Sequence, residues 1–280
     1  MSEEDLARRY GRNDSSTRPG AADVLARNPG LISLLQRRVT RNYLDSPVEP
    51  SLIDVLLDVA FSSPSKSDYQ QATVIKINDP EKRKQLGALA PAMPWIATAP
   101  AFIIVCADAR RLERVCTLRG KPNENRNLEA FFNSSVDAAL VLQNFITAAA
   151  EVGLGTCPIS VIRNRLDDVV RILALPAAVV PIAGVTVGYP AVKGHVSMRL
   201  PPEVTRCNDT YSDDELESEL AAYDVRREER HPTPTDKQRD VARYGVCDAY
   251  GWSEDKARQA NANEGSTFGR MVRGQGFNLE

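Results

Sequence analysis

The stretch from Leu128 to Val152 constrains this chain more than any other. Ala, Leu, Val, Phe and Ile would cover most of the circumference of a helix over these residues. A helix apolar nearly all round belongs in the middle of a structure or in a subunit interface. Gly153 and Gly155 follow it as stop signals. At 280 residues the chain is long enough to bury such a rod in a sizeable core.

Helices and strands interleave around it. Leu31, Ile32, Leu34 and Leu35 predict a helix from Gly30 to Arg38 that ends in a basic cluster. Pro50 opens another, with Leu52, Ile53, Val55, Leu56, Val59 and Ala60 at helical spacing. Arg163 to Leu173 reads as a shorter amphipathic helix. Strands are expected at Thr73 to Ile77, at Ala101 to Ala107 and at Val179 to Val187, the second so continuously apolar that both its faces should be buried. The absence of a βαβ rhythm argues for an α+β fold over a doubly wound one. No Gly-x-Gly-x-x-Gly follows a strand, so a Rossmann nucleotide site has no support.

The ends differ from the middle. Residues 1 to 29 are polar and broken by Gly11, Pro19, Gly20 and Pro29, which predicts an extension outside the main fold. Asp213 to Arg243 is dense in charge and holds Pro232 and Pro234, the composition of a linker crossing a surface. A helix started by Ser253 is expected beyond it.

The net charge of −2, with 35 Lys and Arg residues, gives no global attraction to nucleic acid or to an anionic membrane. Five scattered cysteines and two histidines carry no metal-ligand spacing, so no metal site is expected and the thiols read as reduced. The N-terminus is too charged for a signal peptide, and no window approaches ~18 uninterrupted apolar residues. The expectation is a soluble cytoplasmic protein.

Four polar clusters hold the candidate chemistry. Arg37, Arg38 and Arg41 are either a solvated helix end or an anion-recognising set, since each guanidinium offers a rigid fork of donors matched to phosphate oxygens. Ser65, Lys66, Ser67, Asp68 and Gln70 form either a solvent loop or a group of small donors and acceptors. Pro158, Ile159 and Ser160 follow the long apolar helix as a turn into a strand or helix. Arg199, before a Leu-Pro turn, is either a surface residue or a further anion contact.

In this order and spacing the four segments resemble the FMN-dependent nitroreductase and flavin reductase family, most closely its oxygen-insensitive, NADPH-preferring branch with a C-terminal extension. The resemblance runs from about Leu31 to the C-terminus. It implies a three-layer α+β fold with a mixed, mostly antiparallel sheet flanked by helices. It also implies an intertwined homodimer with FMN at the subunit interface. The domains would be an N-terminal extension (1–29), the FMN-binding domain (30–211) and a C-terminal extension (212–280) that clasps the partner.

The family's basic segment contacts the FMN phosphate and ring carbonyl, which implies those roles for Arg37, Arg38 and Arg41; Val39 departs from the common Ser and removes a hydroxyl. Its Pro-Ser-Ser-x-Asn-x-Gln loop reaches the partner's FMN, which implies the same for Ser65, Lys66, Ser67, Asp68 and Gln70. Asp68 would repel a phosphate unless Lys66 or an Arg pairs with it. Backbone amides of Pro158, Ile159 and Ser160 would lie near flavin N5. Arg199 stands for the Arg of a Lys-x-Arg phosphate pair, with Ser197 in place of the Lys.

Phe131 and Phe132 read as core by spacing. The family places this helix start beside the substrate cavity, where aromatic rings stack on planar acceptors. Met93 and Trp95 fall in a loop that touches the flavin in relatives, though the usual polar residue is absent. The implied activity is ping-pong hydride transfer from NADPH, or NADH, through FMN to nitroaromatic, quinone or flavin acceptors, with no catalytic acid or base from the protein. Arg226, Arg227, Arg230, Lys237, Arg239 and Arg243 are candidates for the 2′-phosphate of NADPH or a solvated charged run. Three rival readings stay open: a reductase dedicated to one metabolite, a non-catalytic flavin binder, and a flavin-free scaffold.

Overall fold

The computed structural model describes residues 2–12, 20–262 and 264–280; Pro19, read above as a break, lies outside them. The chain divides into two units, Met1–Arg38 with His195–Glu264, and Val39–Gly194 with Gly265–Glu280. The divisions thus fall near residues 38, 194 and 264.

The second unit is built on a four-stranded sheet. Its strands are β1 (Ala72–Lys76), β2 (Ala101–Asp108), β3 (Gly155–Ile159) and β4 (Val179–Gly188). Their order is β1-β2-β4-β3 and every pairing is antiparallel, where the sequence reading allowed a mixed sheet. β2 is buried along nearly its whole length, as its unbroken apolar run requires. Ile103 and Val105 face one side and join Leu56 of the Pro50–Phe61 helix and Val141 and Phe145 of the Leu128–Glu151 helix. Phe102, Ile104 and Cys106 face the other and join Leu86, Ile96, Ile162 and Val169. Side chains alternate across the pleat, so one apolar run serves two helical layers.

The Leu128–Glu151 helix is covered on one face only. Ala130, Ser134, Asp137, Ala138, Val141, Phe145, Ile146 and Ala149 are buried. Phe132, Val136 and Leu140, four residues apart along the opposite face, are exposed. At the start of this helix Phe131 meets Phe277 edge-on at 5.5 Å and Phe268 at 6.0 Å, so residues 265–280 pack on their own chain.

The first unit is helical. Ser2–Tyr10, Ala21–Arg27 and Pro29–Gln36 precede the sheet unit in sequence, and Leu216–Arg230 and Trp252–Ala260 follow it. Among the described N-terminal residues, Asp5, Arg9 and Leu25 are buried within this unit. The supposed linker is a 15-residue helix over Leu216–Arg230. It is anchored by the buried Tyr223, which stacks edge-on against Trp252 at 5.7 Å. Asp224, one residue on, accepts from the Ser253 amide at 3.0 Å and fastens the start of the next helix.

Candidate functional site

In the first unit the candidate residues are gathered by one side chain the sequence reading passed over. Arg37 ends the Pro29–Gln36 helix, where the backbone leaves helical geometry and its orphan carbonyls need donors. Arg9 supplies them. Its Nε donates to the Leu35 carbonyl at 2.9 Å, and its Nη2 to the Arg37 carbonyl at 2.7 Å. Its Nη1 donates to the Ser197 carbonyl at 2.7 Å, and the Arg199 amide donates back to the Arg9 carbonyl at 2.8 Å. Arg37 and Arg199 are thereby tied to one point, while Arg38 turns its Nε to the Gln36 carbonyl at 3.1 Å.

The charges respond to this crowding. Burial, then Arg199 and Arg37, push Arg9 down to about 10. Burial and then Arg199 lower Arg37 as well, and burial with Arg8 lowers Arg38. Arg9, Arg37, Arg199 and Arg206 stand on the wall of a single cavity of about 660 Å³. The rest of that wall is largely apolar, and no carboxylate lies on it among the described residues. Guanidinium groups gathered around an open space with no carboxylate among them suit an anion of more than one negative charge. The phosphate of a mononucleotide fits that requirement.

In the second unit Arg41 lies with its guanidinium carbon 5.3 Å from the centre of the Trp95 ring. Its segment is fastened beside the sheet. The Thr40 amide donates to the Thr156 carbonyl at 3.0 Å, and the Tyr43 hydroxyl donates to the Thr40 carbonyl at 2.7 Å. Burial raises the Tyr43 phenol, so it remains a donor. Gly155 permits the approach, because a Cβ there would lie 2.2 Å from Thr40 Oγ1. Cys157 sits next to Arg41 and Trp95, yet burial raises its thiol, and burial pushes Cys106 up to about 12. Neither is an activated nucleophile.

β3 carries Pro158 and Ile159 and ends there, with Ser160 at the mouth of a tight turn. Where the composition predicts a turn into a strand or helix, Gly155–Ile159 is an edge strand paired with β4. Ile159 is buried in the core and Pro158 has no amide hydrogen, so what this segment offers a ligand is the exposed residue Ser160. Trp95 is half-buried, and its indole N–H has no hydrogen-bond partner among the described residues.

The Ser65–Gln70 loop is ordered by Asp137, the lone charged residue between Ala130 and Ala150. Asp137 is 3% exposed and accepts from Ser65 Oγ at 2.6 Å, the Lys66 amide at 3.1 Å and the Gln71 amide at 3.0 Å. These bonds hold Ser67, Asp68 and Gln70 at φ of 52°, 56° and 53°, a left-handed geometry that non-glycine residues adopt at a cost. The pairing sought for Asp68 is absent from the described residues. Its carboxylate accepts from Gln70 Nε2 at 3.1 Å, while Lys66 lies 3.7 Å from Glu129. No hydrogen bond joins this loop to Arg41 among the described residues.

The aromatic pair divides. Phe131 is committed to the cluster with Phe268 and Phe277, whereas Phe132 is 62% exposed. Of the C-terminal basic residues, Arg239 pairs with Asp255 at 2.9 Å and Arg230 donates to the Arg8 carbonyl at 3.0 Å. Arg9 and Asp137, which fasten the candidate segments, carry no motif that singles them out in the four polar clusters. Asp137 had a signal, a lone carboxylate in an apolar helix.

Known proteins are similar to this chain. The nitroreductase family model matches residues 34–189. An FMN reductase [NAD(P)H] of Bacillus subtilis is 36% identical over 207 residues, 72% of this chain and 82% of that protein. The oxygen-insensitive NADPH nitroreductase of Salmonella typhimurium is 32% identical, covering 74% of this chain and 84% of its own length. The solved structure of B. megaterium NfrA2 superposes with a TM-score of 0.81 at 30% identity, over 90% of this chain and 99% of that one. The antiparallel sheet between helical layers, the basic segment and the long apolar helix all fall within or beside the matched residues, and the chain belongs to the nitroreductase family.

Proposed function

We propose that this chain is an FMN-dependent NAD(P)H oxidoreductase that reduces nitroaromatic, quinone or flavin acceptors. The observation that carries the cofactor assignment is the set of arginines, Arg9, Arg37, Arg199 and Arg206, gathered on a cavity wall that holds no carboxylate among the described residues. When bound, FMN supplies the hydride chemistry, taking hydride at N5 from the nicotinamide and passing electrons to the acceptor.

The residues of each unit take distinct tasks in this reading. Arg37 and Arg199 would neutralise the phosphate, with Arg38 in the role the resemblance implies for it, and Arg41 would supply a positive charge that favours the electron-rich form of a bound flavin. The backbone amide of Ser160 would donate to the ring. Ser65, Lys66, Ser67 and Gln70, on a loop already shaped by Asp137, serve the flavin of a partner subunit. The exposed stripe of Phe132, Val136 and Leu140, with Val55 and Val59 on the Pro50–Phe61 helix, is the face we assign to a homodimer contact. Phe132 then belongs to the interface and the acceptor cavity, and Phe131 supports it from the core.

An anaerobic absorbance spectrum before and after one equivalent of NADPH tests the proposal. Flavin bands should bleach and return on adding a nitroaromatic or a quinone. Bands that ignore NADPH and NADH would favour a flavin-binding protein without turnover, and a protein left colourless by added FMN would refute the cofactor assignment. Light scattering should give twice the chain mass.

A further inference from the structure

Two guanidinium side chains of the first unit are each 5% exposed, and they are treated differently. Arg258 donates to the carbonyls of Arg239 and Gly245, both at 2.9 Å, and its charge is met by Glu254 at 2.7 Å. Arg9 has the carbonyls without the carboxylate. Four hydrogen bonds commit it to Leu35, Arg37 and Ser197. No carboxylate among the described residues forms an ion pair with it. Asp5, one turn away, accepts from Gln36 at 2.9 Å and lies 3.8 Å from Arg8.

A buried cation with satisfied N–H groups but no counter-charge is costly unless something neutralises it. Here the neighbours make matters worse, since Arg37 and Arg199 are cations on the same cavity wall. The Ser197 carbonyl and the Arg37 carbonyl both receive Arg9 donors, so this cation sits between the Arg37 and Arg199 segments.

We propose that Arg9 is a positioning residue of the phosphate site: it holds the Arg37 and Arg199 segments in register and adds its own buried positive charge to the cavity wall. The N-terminal helix Ser2–Tyr10 is then part of the cofactor site. The inference rests on the FMN reading above and assigns a task to a residue outside the matched family region.

The test is titration of the flavin-free protein with FMN and with riboflavin, which lacks the phosphate, followed by fluorescence quenching. Arg9→Gln should weaken FMN about tenfold or more, the scale of one charge-assisted contact, and leave riboflavin within about twofold. Equal loss for both ligands would reduce Arg9 to a purely structural role and overturn the inference, as would unchanged FMN affinity. If Arg9→Gln does not fold, Arg9→Lys decides. Its single ammonium keeps the charge but cannot span three carbonyls, so the preference for FMN over riboflavin should fall about threefold or more. An unchanged preference overturns the proposal. If wild-type protein itself fails to distinguish the two ligands, the phosphate assignment falls, and Arg9's part with it.

Discussion

Arg9 in the first unit and Asp137 in the second are both buried charges that fasten backbone by hydrogen bonds, and the contrast between them is instructive. Asp137 is an acceptor that gathers two amides and a hydroxyl, so the loop it shapes is complete once folded. Arg9 is a donor that gathers carbonyls and, with them, the arginines those segments carry. The first arrangement disperses its own charge over the donors around it. The second concentrates charge of one sign beside a cavity and is balanced only when an anion arrives. Asp137 therefore gives a preformed loop, and Arg9 a site whose stability is tied to its ligand.

The comparison can be broken by removing the self-contained half. Asp137→Ala leaves three donors unpaired, and each unpaired buried donor costs about 1–3 kcal/mol, so a loss of roughly 3 kcal/mol or more is expected in chemical denaturation. FMN and riboflavin should weaken alike, because the loop is disturbed without any change at the phosphate. A selective loss of FMN would show that Asp137 and the arginines act as one network.

A second variant tests whether the Arg41 segment depends on close backbone approach. Gly155→Ala would place a Cβ 2.2 Å from Thr40 Oγ1, and neither the strand nor the buried Thr40 has room to give. Overpacking of this kind costs about 1–3 kcal/mol. An unchanged melting temperature would mean that the Thr40 segment can shift, and the fixed position claimed for Arg41 would fall.

The smallest effect is a pH slope in the first unit. The rings of His195 and His231 lie 4.7 Å apart. Burial, then His195, Arg227 and Arg230, hold the His231 imidazole below its ordinary value. The unfolded chain therefore takes up this proton at higher pH than the folded one. The contribution is full above about pH 6.5 and is lost as the pH falls below that value. His231→Gln should flatten the decline in melting temperature on acidification, and an identical slope would assign it to other groups.

Much of the sheet unit was legible because burial writes a pattern into the sequence. β2 and β4 are apolar runs, and the Leu128–Glu151 helix is apolar on nearly every side. β3 was hidden because Gly155 and Pro158 read as turn residues, although an edge strand admits both. The Leu216–Arg230 helix was hidden by its charge, with Tyr223 its one buried side chain. The candidate arginines were visible as a cluster, but what ties them was not. Arg9 acts on carbonyls, which every residue carries, at positions 26 to 188 residues away, and such a partner leaves no trace in local composition.

The central claim is that the arginines of the first unit hold the flavin phosphate. The direct measurement is a pair of titrations, FMN and riboflavin, on flavin-free wild type and on Arg199→Ala. Wild type should prefer FMN, and Arg199→Ala should lose about 1.5–3 kcal/mol of FMN affinity, roughly 10- to 150-fold, with riboflavin unchanged. Equal affinities for the two ligands in wild type, or an FMN affinity untouched by the substitution, would contradict the account.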